Sequence, residues 1–205
     1  MSDIKLNFIN NSEDENNTDY VLYQQNTSID TRVQSVAWKV IKSLGIGSHH
    51  HITYPMEFQV GAIDANGNCM PLISAEKGSR YEMVLTNSGH EFSKFETSAA
   101  NPLDVEIWNN LKKGSMDAQI YRGGGLLATK LNIMPGSKAN FQFKPILFIG
   151  AVSQITEGKI MSSNVTVQYL TKLNLQNTSH TDIIISGGGK GTEATPLTFT
   201  LMPSF

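Results

Sequence analysis

Three adjacent histidines, His49-His50-His51, are the residues of this chain best suited to chemistry. Imidazole is a good ligand for zinc, copper or nickel. On an extended strand, neighbouring side chains point to opposite faces, so only His49 and His51 share a side. A complete metal site would need further donors from His90, His180 or an acidic residue, and the spacing does not bring those to the pair. The expectation is an exposed strand or loop with no metal ligand assigned. Imidazoles also gain charge below their reference pKa of about 6.5, which makes the segment a candidate pH-sensitive contact.

Other segments look like binding motifs and fail on detail. Ile185-Ser186-Gly187-Gly188-Gly189-Lys190-Gly191-Thr192 suggests a phosphate loop. That motif, G-x-x-x-x-G-K-[ST], needs Ser or Thr after the lysine, whereas Gly191 follows Lys190 and Ile184 takes the first Gly position. A flexible hairpin connection is expected instead, and Arg122-Gly123-Gly124-Gly125 reads as a β-turn. Asp64, Asn66 and Asn68 alternate like the opening of a calcium loop, but Cys69 and Ala75 stand where the loop needs Gly and Glu. A tight turn is the better reading.

Cys69 has no basic neighbour in sequence to lower its pKa, so a buried or half-buried, inert thiol is expected. No G-x-S-x-G nucleophile elbow occurs. Five N-x-S/T sequons, at Asn10, Asn16, Asn26, Asn164 and Asn177, follow from the abundance of these residues. No catalytic, cofactor-binding or metal residue is assigned, no cofactor is implied, and an enzyme is not expected.

The elements that must position these residues follow from composition and period. Of 205 residues, 40% are hydrophobic and 17% charged, with a formal net charge of −2. Lys and Arg form no basic block of the kind that displaces counterions from nucleic acid. No apolar run approaches the ~18 residues of a membrane helix, and Met1-Ser2-Asp3-Ile4-Lys5 has no signal-peptide pattern. A soluble, cytoplasmic protein is expected. One cysteine excludes an intramolecular disulfide framework. The 17 Asn, 19 Ser and 16 Thr make up a quarter of the chain, so much of the exterior must be short, neutral and polar.

The hydrophobic period is mostly two. Ile4, Leu6 and Phe8 alternate with Lys5 and Asn7, as in a half-buried strand. Further strands are expected at 20–24, 33–41, 58–63, 81–86, 105–108, 118–121, 126–133, 141–149, 160–175, 183–185 and 197–201, separated by Gly-, Asn- and Pro-rich turns. Pro102 to Lys113 carries the best helical spacing, but its Val105/Ile107 alternation favours a strand. Many short strands with no dividing linker predict an all-β, single-domain antiparallel β-sandwich over residues 1–205 with little helix. Ser12 to Thr18 is read as an exposed loop between the first two strands.

Three segments of the N-terminal third, Leu6 to Ser12, Tyr20 to Gln25 and Val33 to Lys39, form a strand-strand-strand pattern. The pattern resembles the RhiA-like group of small bacterial proteins, which share an Asn-Ser turn, a Val-Tyr-Gln strand and a Ser-hydrophobic-Ala-Trp strand in this order. In size and Asn-rich composition the chain is also similar to the smaller crystalline inclusion proteins (PixB type) of Xenorhabdus. The resemblance implies an abundant, soluble protein stored as intracellular crystals and brings no catalytic residues to carry over, so a non-enzymatic structural or storage protein is expected. The expected partner is the protein itself, with no nucleic acid and no membrane. A lectin-like or membrane-active sandwich module is the alternative, with Trp38, Trp108 and Tyr54 as its available rings.

Overall fold

The computed structural model describes residues 2–16, 18–161, 165 and 167–203. The described residues form β-strands and a single short 3₁₀ turn at Gly191–Glu193, and no helix among them is long and apolar enough to cross a membrane. The first strands are β1 (Ile4–Asn10), β2 (Asp19–Tyr23), β3 (Gln34–Ser35), β4 (Lys39–Ile41), β5 (His49–Tyr54) and β6 (Phe58–Asp64). Next come β7 (Ile73–Ala75), β8 (Arg80–Thr86), β9 (Gly89–Lys94), β10 (Val105–Asn109), β11 (Met116–Arg122) and β12 (Gly125–Ile133). The last are β13 (Lys138–Phe141), β14 (Ile146–Val152), β15 (Gln168–Asn174), β16 (His180–Gly188) and β17 (Thr195–Pro203). The fold is all-β and of β-sandwich type, as the two-residue period indicates.

The chain divides into two compact units, one from residues 1–24, 37–56 and 145–205, the other from 25–36 and 57–144. Each unit gathers segments from distant parts of the chain, so no linker in the sequence marks a boundary between them. Antiparallel pairing dominates, but each unit also contains one parallel pair, β1 with β16 and β8 with β10.

The first unit holds sheets ordered β17-β16-β1-β5 and β15-β14-β2-β4. Leu6, Phe8, Ile52, Tyr54, Ile183, Ile185 and Phe199 supply the buried face of one sheet, and Tyr20, Leu22, Ile149 and Leu173 that of the other. Tyr20 meets Phe199 edge to face, with centroids 5.6 Å apart. The run Tyr20-Val21-Leu22-Tyr23 lacks polar alternation because both of its faces are covered. Val21 and Tyr23 pack on the far side with Ala37, Val152 and Ile155. A strand covered on both faces is continuously apolar.

The second unit holds sheets ordered β13-β10-β8-β9 and β3-β12-β11-β6-β7. Asn109 at the end of β10 joins them by donating to the Ile133 carbonyl of β12 at 2.8 Å. The stretch expected as one strand over 33–41 splits into β3 and β4, which belong to different units, and 141–149 splits likewise between β13 and β14. The expected strand over 160–175 is described as β15, and its residues 162–164 and 166 lie outside the described residues.

A buried ion pair pins the segment before β3. Lys130 Nζ lies 2.6 Å from Asp30 Oδ2 and donates to the Lys138 carbonyl at the same distance. The side chains are only 4% and 11% exposed, so each charge depends on the other. Asn140 N–H also donates to Asp30 Oδ2, at 3.2 Å. Removing one partner of such a pair strands the other charge and costs roughly 3–5 kcal/mol, whereas replacing both with apolar groups costs far less. Asp30→Ala is therefore expected to lower unfolding stability in urea by about 3–5 kcal/mol. The double variant D30A/K130M should recover most of that loss, and equal losses in the two variants would contradict the pairing.

Candidate functional site

The three histidines stand on β5, the last strand of its sheet. β1 lies between β5 and β16, and the directions of its hydrogen bonds are fixed by the contacts at its ends. Lys5 and Asn11 N–H donate to the Ser179 and Ile185 carbonyls on the β16 side, and Asn10 N–H donates to the Ser48 carbonyl on the β5 side. Backbone groups alternate along a strand, so the even residues of β1 serve β5 and the odd ones serve β16. The register pairs Phe8 with His50 and Leu6 with Ile52. His50, Ile52 and Tyr54 therefore bond inward to β1, while His49, His51 and Thr53 turn their N–H and C=O groups to the open edge.

The side chains follow the same alternation. His49, His51 and Thr53 project on the solvent side of the sheet and are exposed. The register lines up His51, Asn7, Asp182 and Met202 in one row across the sheet, and Thr53, Lys5 and His180 in the next. Asn7 Nδ2 donates to Asp182 Oδ1 at 2.9 Å and lies 3.5 Å from His49 Nδ1, the outer limit of a hydrogen bond. Lys5 Nζ donates to Thr53 Oγ1 at 3.3 Å. Of the five histidines, His49, His51 and His180 share this face. Among the described residues no three His, Cys, Asp or Glu side chains converge to hold a metal ion.

The Ser12 to Thr18 segment is only partly the exposed loop expected. Ser12 is buried, its hydroxyl donating to Asn10 Oδ1 at 2.6 Å, and Glu13 extends the parallel ladder by bridging to Gly188. Glu13, Glu15 and Asn16 are exposed, and Asn17 lies outside the described residues. Burial acts to raise the Asp14 carboxyl, but hydrogen bonds from Thr18 and Asn16 outweigh it and hold the group below the usual carboxylate range.

That ladder accounts for Gly188, and the neighbouring strand β17 accounts for Gly187. Gly187 and Gly188 both have positive φ, 93° and 87°. A Cβ on Gly187 would overlap the Pro196 carbonyl oxygen, and one on Gly188 would sit 2.7 Å from the Asp14 nitrogen. The expected hairpin connection does join β16 to β17, but its glycines form a close backbone crossing, and only the short 3₁₀ turn Gly191–Glu193 follows it.

The Asp64 to Asn68 turn has the geometry its residues suggest. Asp64 Oδ1 accepts from Asn66 and Asn68 N–H, both at 2.9 Å. Oδ2 accepts from Asn68 Nδ2 and from His90 Nδ1, again at 2.9 Å. These four donors, the Asn68 side chain first, hold the carboxyl well below its ordinary range. The carboxylate is thus occupied by the protein's own groups. Asp64, Asn66, Met70, Leu85 and His90 line a shallow groove of about 300 Å³. A carboxylate-oriented imidazole supplies two of the three members of a nucleophilic triad, but among the described residues no serine, threonine or cysteine side chain bonds to His90.

Cys69 is exposed, contrary to the expected burial. It follows the turn on a lone bridge to Ile63, too short a pairing to cover it. Trp38 and Tyr54 are buried and meet edge to face at 5.7 Å. Trp108 is half-buried on the outward side of β10, where the Arg80 guanidinium lies 4.4 Å and Lys138 Nζ 5.0 Å from its ring centre. Arg80 also stacks on Phe95 at 4.5 Å. Glu106 completes the cluster, bonding Lys138 Nζ at 2.6 Å and Trp108 Nε1 at 2.9 Å. Sequence reading missed both this cluster and the Asp64–His90 pair, since their members sit on different strands and leave no local pattern.

No family model matches the chain, and no curated protein or solved structure matches it.

The Asp64 hydrogen bonds give a pH signature. A carboxyl with a lowered folded pKa contributes stability above its unfolded pKa of about 4 and loses it as pH falls toward the folded value. Asp64→Asn should therefore be less stable than the parent at pH 7 in urea titrations. The gap should narrow progressively as the pH is lowered through 4 and 3, and a gap that does not change with pH would contradict this account.

Proposed function

We propose that this protein is a non-enzymatic structural or storage protein whose copies assemble with one another into crystalline inclusions inside the cell. The observation that carries the reading is the open edge of β5, where His49, His51 and Thr53 are exposed and direct outward backbone groups that pair with no strand among the described residues. An open edge is a template for pairing with another chain. Natural proteins commonly blunt such edges with lysines or prolines, and β5 has neither.

The exterior supports the same reading. Exposed Asn, Ser and Thr outnumber exposed Asp, Glu, Lys and Arg among the described residues. Short side chains lose less rotamer freedom in a contact than Lys or Glu, which forfeit up to ~2 kcal/mol each. A net charge of −2 gives little repulsion between copies. The likeness to RhiA-like and crystalline inclusion proteins points the same way.

A sugar-binding or membrane-active module has less support. Two of its three candidate rings are in the core, and the third is faced by Arg80 and Lys138. The test is high-level expression in bacteria, followed by electron microscopy and powder diffraction of intact cells. Ordered particles giving sharp diffraction rings are expected. A protein that stays monomeric at millimolar concentration over a range of pH would overturn the proposal.

A further inference from the structure

The histidine strand has a symmetry that a lone copy cannot use. His49 and His51 present two imidazoles on one face, and zinc bound by side chains takes four donors in a tetrahedron. One copy therefore supplies half a site, in keeping with the lack of any three-ligand cluster among the described residues. The same two residues also direct their backbone N–H and C=O groups to the open edge. An antiparallel partner strand bonded there places residues directly opposite one another on the same face.

We infer that β5 pairs antiparallel with β5 of a second copy about a two-fold axis at His50, and that the four imidazoles so gathered bind a zinc ion. This junction rests on the self-assembly reading and gives it a chemistry. In this register His49 lies opposite His51 of the second copy, and His51 opposite the other His49. Both are residues with outward backbone groups, so each opposed pair exchanges two hydrogen bonds. Cβ atoms of opposed residues come within about 4.5–5.5 Å, close enough for imidazoles to converge on one ion.

His50 points to the other face and contributes no ligand. A neutral imidazole bound through Nε2 carries its proton on Nδ1, so His49 gives up the 3.5 Å contact with the Asn7 amide on binding, while Asn7 keeps its shorter bond to Asp182. Nothing is oxidised or reduced. The site binds an ion and joins two chains.

The experiment is sedimentation velocity on the full chain with zinc chloride added, then with excess EDTA. Zinc should convert monomer to dimer at one ion per two chains, and EDTA should reverse it. His49→Ala and His51→Ala should each weaken the zinc-induced dimer at least tenfold, while His50→Ala leaves it within about twofold of the parent. Far-ultraviolet circular dichroism shows that each variant is folded. A chain that stays monomeric with zinc, binds one zinc per monomer, or loses its dimer equally in His50→Ala would overturn the inference. Inclusions that form in cells expressing His51→Ala would leave the broader assembly proposal standing without this junction.

Discussion

The hydrogen-bond capacity of β1 governs the arrangement of its sheet. β1 has two edges and uses both, one in a parallel ladder with β16 and one in an antiparallel ladder with β5. The first ladder joins residues about as far apart as the chain allows, Lys5 with His180 and Asn10 with Ile185. Its continuation through Glu13 and Gly188 requires residues without a Cβ at the crossing. With β16 on one side, β5 is left as the terminal strand, and among the described residues its outward groups have no partner in the sheet.

Charge is handled differently in the interior and on the exterior. Ionic groups of the second unit are drawn in and paired: Lys130 with Asp30 and Lys138 with Glu106. Each has hydrogen bonds beyond its ion pair, as buried charge demands. For Glu106, burial opposes ionisation, but bonds from Lys138, Trp108 and the Ala100 N–H outweigh it and keep the carboxyl below its usual range. Exposed pairs such as Lys190 with Glu15, at 2.6 Å, lie in high dielectric and contribute little. Drawing charge inward leaves an exterior richer in amides and hydroxyls, the property on which the assembly proposal depends.

Local pattern was legible in the sequence, and long-range arrangement was not. Ile4, Leu6 and Phe8 declare a strand because they alternate with polar Lys5 and Asn7, and their face is buried while Lys5 on the other is exposed. Asp64-Ala65-Asn66-Gly67-Asn68 declares a turn because its carboxylate can cap the backbone two and four residues on. The Gly187-Gly188-Gly189 run signals a special backbone, although its cause is the close approach of Pro196 on the next strand and of Asp14 from a distant segment. β9 was missed because only Phe92 of its six residues is buried, which leaves no hydrophobic alternation to detect. Val33 to Ile41 looks continuous because propensity does not register that Val36 and Ala37 fall in different units. The histidines were visible at once, but their place on an open edge depends on strand order, which only the fold supplies.

Residue-resolved amide hydrogen exchange, comparing dispersed with assembled protein, tests the central claim most directly. The account predicts that the amides of His49, His51 and Thr53 exchange rapidly in the dispersed chain. Assembly should slow His49 and His51, whereas His50 and Ile52, already bonded to β1, should change little. Assembled protein in which His49 and His51 remain as fast as in the dispersed chain, with new protection confined to other strands, would contradict it.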